Sequence, residues 1–377
     1  MLAKVNVAET KKPAWRVWAV GQRCLLGSIL WALLLLLSTL PVGAEEAQFN
    51  TLSTFNSQRV YTPGQHWHKA IHPRMLGWSA KKLDQAQRYA QEKLASSAVV
   101  IVDRGVVVAA WGKPAERFLL NSIRKPLMGA LFGLHVAAGH IDLDADMKQL
   151  GIDDIEPRLT PLERTARVRD LLRSRSGVYH PSAYEPKKMK KNRPARGSYL
   201  PGTFYFYNNW DFNTLGGILE RESGTGIFQE FDRRIATPLE MEHYRIKDGY
   251  YKRQQASLYP AYIFHMSALD LARFGLLYQR EGKWRNQQVV PADWVRQSTS
   301  LPPGEDAAKK GYGYLWVVYP WGFTHGGSGG QRLQVYTERE LVIVHLKKLN
   351  KGEKRLKSKA IEKLFEKVLE AKPAPKK

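Results

Sequence analysis

With 377 residues, 44% of them hydrophobic and 11% aromatic, the chain is long enough to bury one large core or two smaller ones, and it is not a disordered protein. Its single cysteine, Cys24, falls in an N-terminal apolar region, so disulfides, thiol catalysis and cysteine-ligated metals are excluded for the remainder. The formal net charge is +23, yet no zinc finger, helix-turn-helix or aromatic-interleaved RNA motif accompanies it, which argues against nucleic acid as a partner.

Lys4, Lys11, Lys12, Arg16 and Arg23 precede an apolar run from Leu25 to Leu40, followed by Pro41-Val42-Gly43-Ala44 and then Glu45-Glu46. The run is shorter than the roughly 20 apolar residues of a spanning helix, and the small residues Val42 and Ala44 suit signal peptidase. Residues 1–44 are therefore expected to be a cleaved export signal, giving a periplasmic or secreted protein, with an uncleaved N-terminal membrane anchor as the alternative. Residues 45–75 are polar, with turn signals at Tyr61-Thr62-Pro63-Gly64 and His72-Pro73, and are expected to form an extended lead-in. Within it, His66-Trp67-His68 and His72 lack an acidic ligand or a rigid element, so no metal site is assigned.

Ser79 to Leu94 is charged and periodic, as in a surface helix. Ala98–Val102 and Val106–Trp111, separated by Asp103-Arg104-Gly105, predict a β-hairpin with a tight turn. Apolar residues at three-and-four spacing predict a helix over Ser122–Gly139, and the pattern stays chiefly helical through Val168–Arg173, Asn209–Ser223, Ile227–Arg234 and Ser267–Arg280. Strand signals return at Gly313–Tyr319, Leu333–Tyr336 and Leu341–Leu346, with Glu338-Arg339-Glu340 as the last turn. Lys354–Leu369 then reads as an amphipathic helix burying Ile361, Leu364, Phe365 and Val368. The expected fold is α/β (α+β): an antiparallel sheet built from both chain ends and flanked by helices, with a mainly helical region inserted. The corresponding domain spans residues 76–370, its sheet part about 76–121 and 306–370, its helical part about 122–305, and a basic tail covers 371–377.

Ser122-Ile123-Arg124-Lys125 places a serine and a lysine on one helical face, where they can share a proton. Pro126 is tolerable only in a first turn, so the helix must begin near Ser122, at the positive end of its dipole. Proline also pushes Lys125 away from helical geometry, so that turn is expected to be distorted. Alone, such a pair is common, and a plain helix N-cap is then the better reading of Ser122. A second serine motif, Gly326-Gly327-Ser328-Gly329-Gly330, literally satisfies the G-x-S-x-G of a nucleophile elbow. Only Glu338, Glu340 and His345 follow it, however, and no parallel βαβ pattern surrounds it.

Two further motifs complete a set: Y-x-N in Tyr207-Asn208-Asn209 and H-x-G in His325-Gly326-Gly327. In this order the three resemble the signature of the serine β-lactamase-like superfamily, the β-lactamase/transpeptidase-like fold, and most closely its class C β-lactamase-related esterases, D-aminopeptidases and 6-aminohexanoate-oligomer hydrolases. The resemblance runs from about His72 to Lys351 and includes Leu171 to Gly177, similar to the family's LL-x-x-x-SG block, and Leu215-Gly216-Gly217. It implies Ser122 as nucleophile with Lys125 and Tyr207 moving its proton, and Asn209 hydrogen-bonding the lysine or a substrate amide. It also implies an oxyanion hole from the backbone N–H groups of Ser122 and Ser328. A cationic Lys125 would favour a Tyr207 phenolate, the two sharing one coupled proton. Gly326 and Gly327 would leave room for substrate. His325 stands where the K-T-G lysine would be, which weakens the case for efficient β-lactam hydrolysis. Tyr179 and Trp210 are pocket candidates, and neither metal nor organic cofactor is implied.

The expected activity is thus that of an exported serine hydrolase cleaving a small-molecule ester or amide through a Ser122 acyl-enzyme. The alternatives are a D,D-peptidase or β-lactamase, and a non-catalytic cell-envelope binding protein. Basic blocks at Lys187–Lys191 with Arg193 and Arg196, and at Lys351–Lys359, would favour association with an anionic membrane or cell-wall surface.

Overall fold

Nine strands of one sheet organise the molecule: β1 (Phe49–Leu52), β2 (Trp67–Ala70), β3 (Ala98–Asp103), β4 (Val106–Gly112), β5 (Gly311–Tyr312), β6 (Val317–Tyr319), β7 (Gly322–Gly327), β8 (Gln331–Tyr336) and β9 (Leu341–Leu346). They lie side by side as β1-β2-β4-β3-β9-β8-β7-β6-β5. The structure is a computed structural model that describes residues 47–372; the expected export signal and residues 373–377 of the basic tail lie outside the described residues. Five longer helices accompany the sheet: α1 (Ala80–Arg88), α2 (Arg124–Ala137), α3 (Asn209–Ser223), α4 (Ala268–Gln279) and α5 (Ser358–Ala371).

The β3–β4 hairpin forms where the sequence places it. Arg104 and Gly105 both take left-handed backbone, with φ of 50° and 81°, as a two-residue turn matched to strand twist requires. A Cβ on Gly105 would sit 1.8 Å from the Tyr61 carbonyl oxygen, so only glycine fits there. The antiparallel pairing of β3 with β9, Val102 opposite Val342 and Val100 opposite Val344, joins the two ends of the chain. Both strands are buried on both faces, which explains their unbroken apolar sequences. Val100, Val102, Val342 and Val344 face a core shared with Leu127 and Leu131 of α2, Leu215 and Ile218 of α3, and Phe274 of α4. Val99, Ile101 and Ile343 face the opposite core, with Leu83 of α1 and Ile361, Leu364, Phe365 and Val368 of α5. A strand's two-residue period sends neighbours to opposite sides, so one sheet serves two cores.

Three local expectations are corrected. The lead-in is not merely extended: Phe49–Leu52 and Trp67–Ala70 pair in parallel with each other, and the second also runs parallel to β4. Trp67 is fully buried, and that burial anchors a segment whose polar sequence gave no strand signal. The strand expected over Gly313–Tyr319 exists only as Val317–Tyr319, because Leu315 takes a φ of 61° that no strand accommodates. The unmarked stretch Gly322–Gly327 is a six-residue strand between β6 and β8 despite three glycines, held by pairing on both sides. Its far end turns back into β8 rather than into a helix, so Ser328 does not occupy a strand-to-helix nucleophile elbow.

Candidate active site

The segment ahead of α2 is fastened at both ends. A short ribbon pairs Arg117–Leu119 with His265–Ser267, and the Leu120 N–H donates to the Phe264 carbonyl at 3.0 Å. Asn121 then takes a left-handed φ of 52°, after which Asn121–Ile123 form one 3-10 turn leading into α2. The tightened turn is where the constraint of Pro126 is absorbed, and Lys125 itself remains helical. Ser122 makes no capping bond; the N-cap of the 3-10 turn is Leu120 and that of α2 is Ile123. Lys125 Nζ lies 3.1 Å from Ser122 Oγ. The lysine is 1% exposed, with its ammonium position 4.9 Å from the ring centre of Tyr207 and 4.5 Å from that of Phe212. Burial first, and the neighbouring Arg124 cation second, drive its pKa well below the usual lysine range.

Tyr207 reaches the same point from a remote loop, and Ser174 delivers it. The Ser174 hydroxyl donates to the Phe206 carbonyl at 2.9 Å and accepts from the Asn208 N–H at 3.0 Å, pinning the backbone on both sides of the tyrosine. Asn208 caps α3 through Trp210 N–H at 3.2 Å, and its amide donates to Val178 O at 2.6 Å and to Asp211 Oδ1 at 2.9 Å. Burial pushes the Tyr207 phenol well above its usual pKa, opposed in part by a side-chain hydrogen bond with Ser122 and by Arg124. Burial thus opposes the phenolate that a cationic Lys125 would favour. Desolvation works against both charged forms, and in a neutral amine–neutral phenol pair the amine is the group with a free lone pair to accept the serine proton.

The third segment is β7 and the turn beyond it. His325 is 2% exposed, its ring 6.4 Å from that of Tyr207, with Nδ1 against the Gly326 carbonyl at 3.1 Å. Burial and the nearby Lys125 hold its pKa well below the usual histidine value, so it is a neutral ring behind the tyrosine and supplies no fixed charge. A Cβ on Gly327 would lie 2.4 Å from the Leu120 carbonyl oxygen, whereas one on Gly326 would meet nothing closer than 3.5 Å. Gly327 thereby lets β7 approach the turn that carries Ser122. Asn121 ties the segments together, donating to Ser328 O at 2.7 Å and accepting from the Tyr184 hydroxyl at 2.9 Å. His345, buried in β9, donates from Nδ1 to Gly330 O at 2.6 Å and accepts from Ser96 at Nε2 over 2.7 Å, so it braces that turn and is remote from Ser122 in role.

Ser122, Lys125, Tyr207, Asn209 and Ser328 line one cavity of about 250 Å³, together with Asn121, Arg124, Tyr184, Met189, Lys252 and Arg355. The two pocket candidates named from sequence do not line it. Trp210 is fully buried, its indole N–H donating to Asp154 Oδ2 at 2.7 Å, because the first turn of α3 points it into the core. Tyr179 is 3% exposed and packs edge-on against Tyr199 and Phe206. Asn209 does reach the cavity, but its amide donates to the Tyr184 carbonyl at 2.7 Å, so it holds the cavity wall instead of the lysine. In the lead-in, His66 pairs with Glu242 at 2.8 Å and His72 caps a short 3-10 turn. Sequence reasoning missed Asn121, Ser174 and Tyr184. Asn121 adjoins one marked motif and Ser174 lies inside another, but their roles depend on partners 32 to 207 residues away.

A hydroxyl, an amine held near neutrality and a phenol meeting at a cavity floor are the parts of a serine hydrolase that works without a metal. The beta-lactamase family model matches residues 81–365, and the chain belongs to that family. Solved structures share the fold at low identity. A Bacillus anthracis protein named for 6-aminohexanoate-dimer hydrolase activity is 19% identical, with 86% of each chain covered and a TM-score of 0.58. FmtA from Staphylococcus aureus is 17% identical over 78% of this chain and 90% of its own, with a TM-score of 0.56. A beta-lactamase from Mycobacterium bovis is 21% identical over 75% of this chain and 100% of its own, with a TM-score of 0.52.

Proposed function

We propose that this serine hydrolase cleaves a small ester or amide through an acyl-enzyme on Ser122. The observation that carries the reading is the 3.1 Å approach of Lys125 Nζ to Ser122 Oγ on the floor of a cavity that Tyr207 also lines. Ser122 Oγ attacks the substrate carbonyl carbon while its proton passes to the Lys125 amine. The Tyr207 phenol, lining the same cavity, relays that proton to the departing alcohol or amine. The backbone N–H groups of Ser122 and Ser328, both at the cavity wall, are the proposed holders of the carbonyl oxyanion. Water attacks the acyl-enzyme by the same route in reverse, releasing the acid and restoring the serine.

A neutral His325 offers no cation at the K-T-G position, which supports esterase or amidase chemistry over β-lactam turnover. Hydrolysis of short p-nitrophenyl esters is expected to exceed turnover of a chromogenic cephalosporin, and Ser122→Ala is expected to abolish the ester activity. Ester hydrolysis that survives the substitution would refute the assignment. Export is part of the same proposal, supported by the basic, apolar and small-residue order of residues 1–44. Expression of the whole chain in a bacterium should then yield periplasmic protein beginning at Glu45; a cytoplasmic product of full mass would contradict it.

A further inference from the structure

A second cavity, of about 650 Å³, is lined by the lead-in between β1 and β2, the β3–β4 turn, the end of α4 and the hairpin that pairs Lys283–Trp284 with Gln287–Gln288. At this end of the sheet Asp103 pairs with Leu341, and the Arg104 N–H donates to the Glu340 carbonyl at 2.9 Å. The turn that carries Ser328 is at the other end of the same strands, where Ala98 pairs with Leu346 and His345 meets Gly330 O. Six-residue strands set the two ends roughly 17 Å apart, so this cavity has no part in acyl transfer.

Five cations line it, Arg59, Arg104, Arg280, Lys283 and Arg285, against a single acid, Glu340. Arg104 is shared with Asp103 and Arg285 with Glu240, whereas among the described residues Arg59, Arg280 and Lys283 are in no ion pair. The guanidinium groups are held in place by the fold itself. Arg280 donates to Thr62 Oγ1 at 2.6 Å and to the Tyr61 carbonyl at 2.7 Å, which leaves the rest of its N–H fork for another acceptor. Gly105 admits it, since a Cβ there would lie 2.6 Å from Arg280 Nη2. Burial lowers the Arg280 pKa to about 10, so the group stays charged at neutral pH with part of its hydration lost. Arg104 lies 4.5 Å from the centre of the Phe55 ring and Arg59 5.2 Å from that of Tyr61, and the two rings stack on each other at 5.2 Å. Aromatic faces thus hold both arginines by cation–π attraction while their N–H edges stay available. Like charges gathered around one cavity repel, and a multiply charged anion relieves that repulsion.

We propose that this cavity binds neighbouring phosphate groups, as in a diphosphate or the clustered headgroups of an anionic lipid, gripped by Arg59, Arg280 and Lys283 with Arg104 and Arg285 at the wall. The inference is independent of the serine-hydrolase reading, and the site is distinct from the basic blocks at Lys187–Lys191 and Lys351–Lys359. Three cations from separate segments, none of them in an ion pair, exceed what one carboxylate can neutralise, and guanidinium forks match the oxygens of a phosphate. The volume falls within the roughly 300–1,000 Å³ of cavities that enclose small ligands.

Calorimetric titration of the full chain with pyrophosphate is expected to show saturable binding that weakens as salt rises. It should be about tenfold tighter than binding of citrate, which has a similar charge at neutral pH but no phosphate. Arg59→Glu/Lys283→Glu reverses two exposed charges and is expected to weaken pyrophosphate binding by about tenfold or more, with an unchanged melting temperature. Arg59→Lys/Lys283→Arg should retain binding. Displacement of pyrophosphate by phosphatidylglycerol vesicles, and not by phosphatidylcholine vesicles, would support the site with a lipid headgroup as its source of phosphate; no displacement by either would support it with a soluble one. Absence of saturable pyrophosphate binding, equal affinity for citrate, or an affinity unmoved by the charge reversal would each overturn the phosphate site.

Discussion

At the scale of single residues, the arrangement depends on groups that never touch the reacting bond. Ser174 holds Tyr207 by bonding the backbone on either side of it. Ser174→Ala is expected to let the phenol drift and lower kcat on a neutral ester by roughly 100-fold, the loss that about 1 Å of misplacement brings, with a smaller change in KM. Steady-state kinetics on p-nitrophenyl acetate read the difference, and an unchanged kcat would show that the tyrosine is held by other means. Lys125 must be neutral to accept the Ser122 proton, and its pKa is depressed by burial and by Arg124. Activity should therefore rise with pH along a limb whose apparent pKa lies well below that of an ordinary lysine. Arg124→Gln removes the repulsion and should move the limb to higher pH; a limb unmoved by that substitution would contradict the coupling. Ser122 and Lys125 were legible in sequence because both partners sit within one turn. Ser174 and Asn121 were not, since a hydroxyl or amide declares its role only through a remote backbone group.

At the scale of elements, the first turn of α3 serves two purposes at once. It presents Asn209 to the cavity while pressing Trp210 and Asp211 into the interior. The helical period sends these neighbours to different surroundings, which explains why Trp210 was misplaced as a pocket residue although the motif containing it was found. Asp211 accepts from the Ser176 hydroxyl at 2.6 Å and from the Asn208 amide at 2.9 Å, but its other carboxyl oxygen is buried without a partner. Burial raises its pKa well above the usual carboxylate range. An acid whose folded pKa is raised binds its proton more tightly when folded, so stability falls as pH climbs from the unfolded value, near 4, toward the folded one. Asp211→Asn keeps both acceptor contacts and removes the titration. Its melting temperature should decline less across that window than that of the wild type, and parallel declines would show that Asp211 is ionised in the fold. Strand β7 teaches a related lesson. Its three glycines argue against a strand on propensity, yet Gly327 is what allows the strand to lie against Leu120.

At the scale of the whole molecule, the sheet was legible where a strand is buried on both faces, because β3 and β9 must then be apolar throughout. The strand β1 at the sheet edge and β2 beside it were not, being four residues each with a pairing that local pattern does not encode. This division has a functional side. The closing of β3 against β9 unites the two chain ends, and the turn after β7 is thereby brought beside the start of α2 from more than 200 residues away. The site exists only when both halves of the chain are in place. Acid quenching of the protein during turnover of a slow p-nitrophenyl ester, followed by peptide mass spectrometry, tests this most directly. The acyl group is expected on Ser122 alone and absent from the Ser122→Ala protein. An adduct on Ser328 or on any other residue, or continued hydrolysis by the Ser122→Ala protein, would contradict the account.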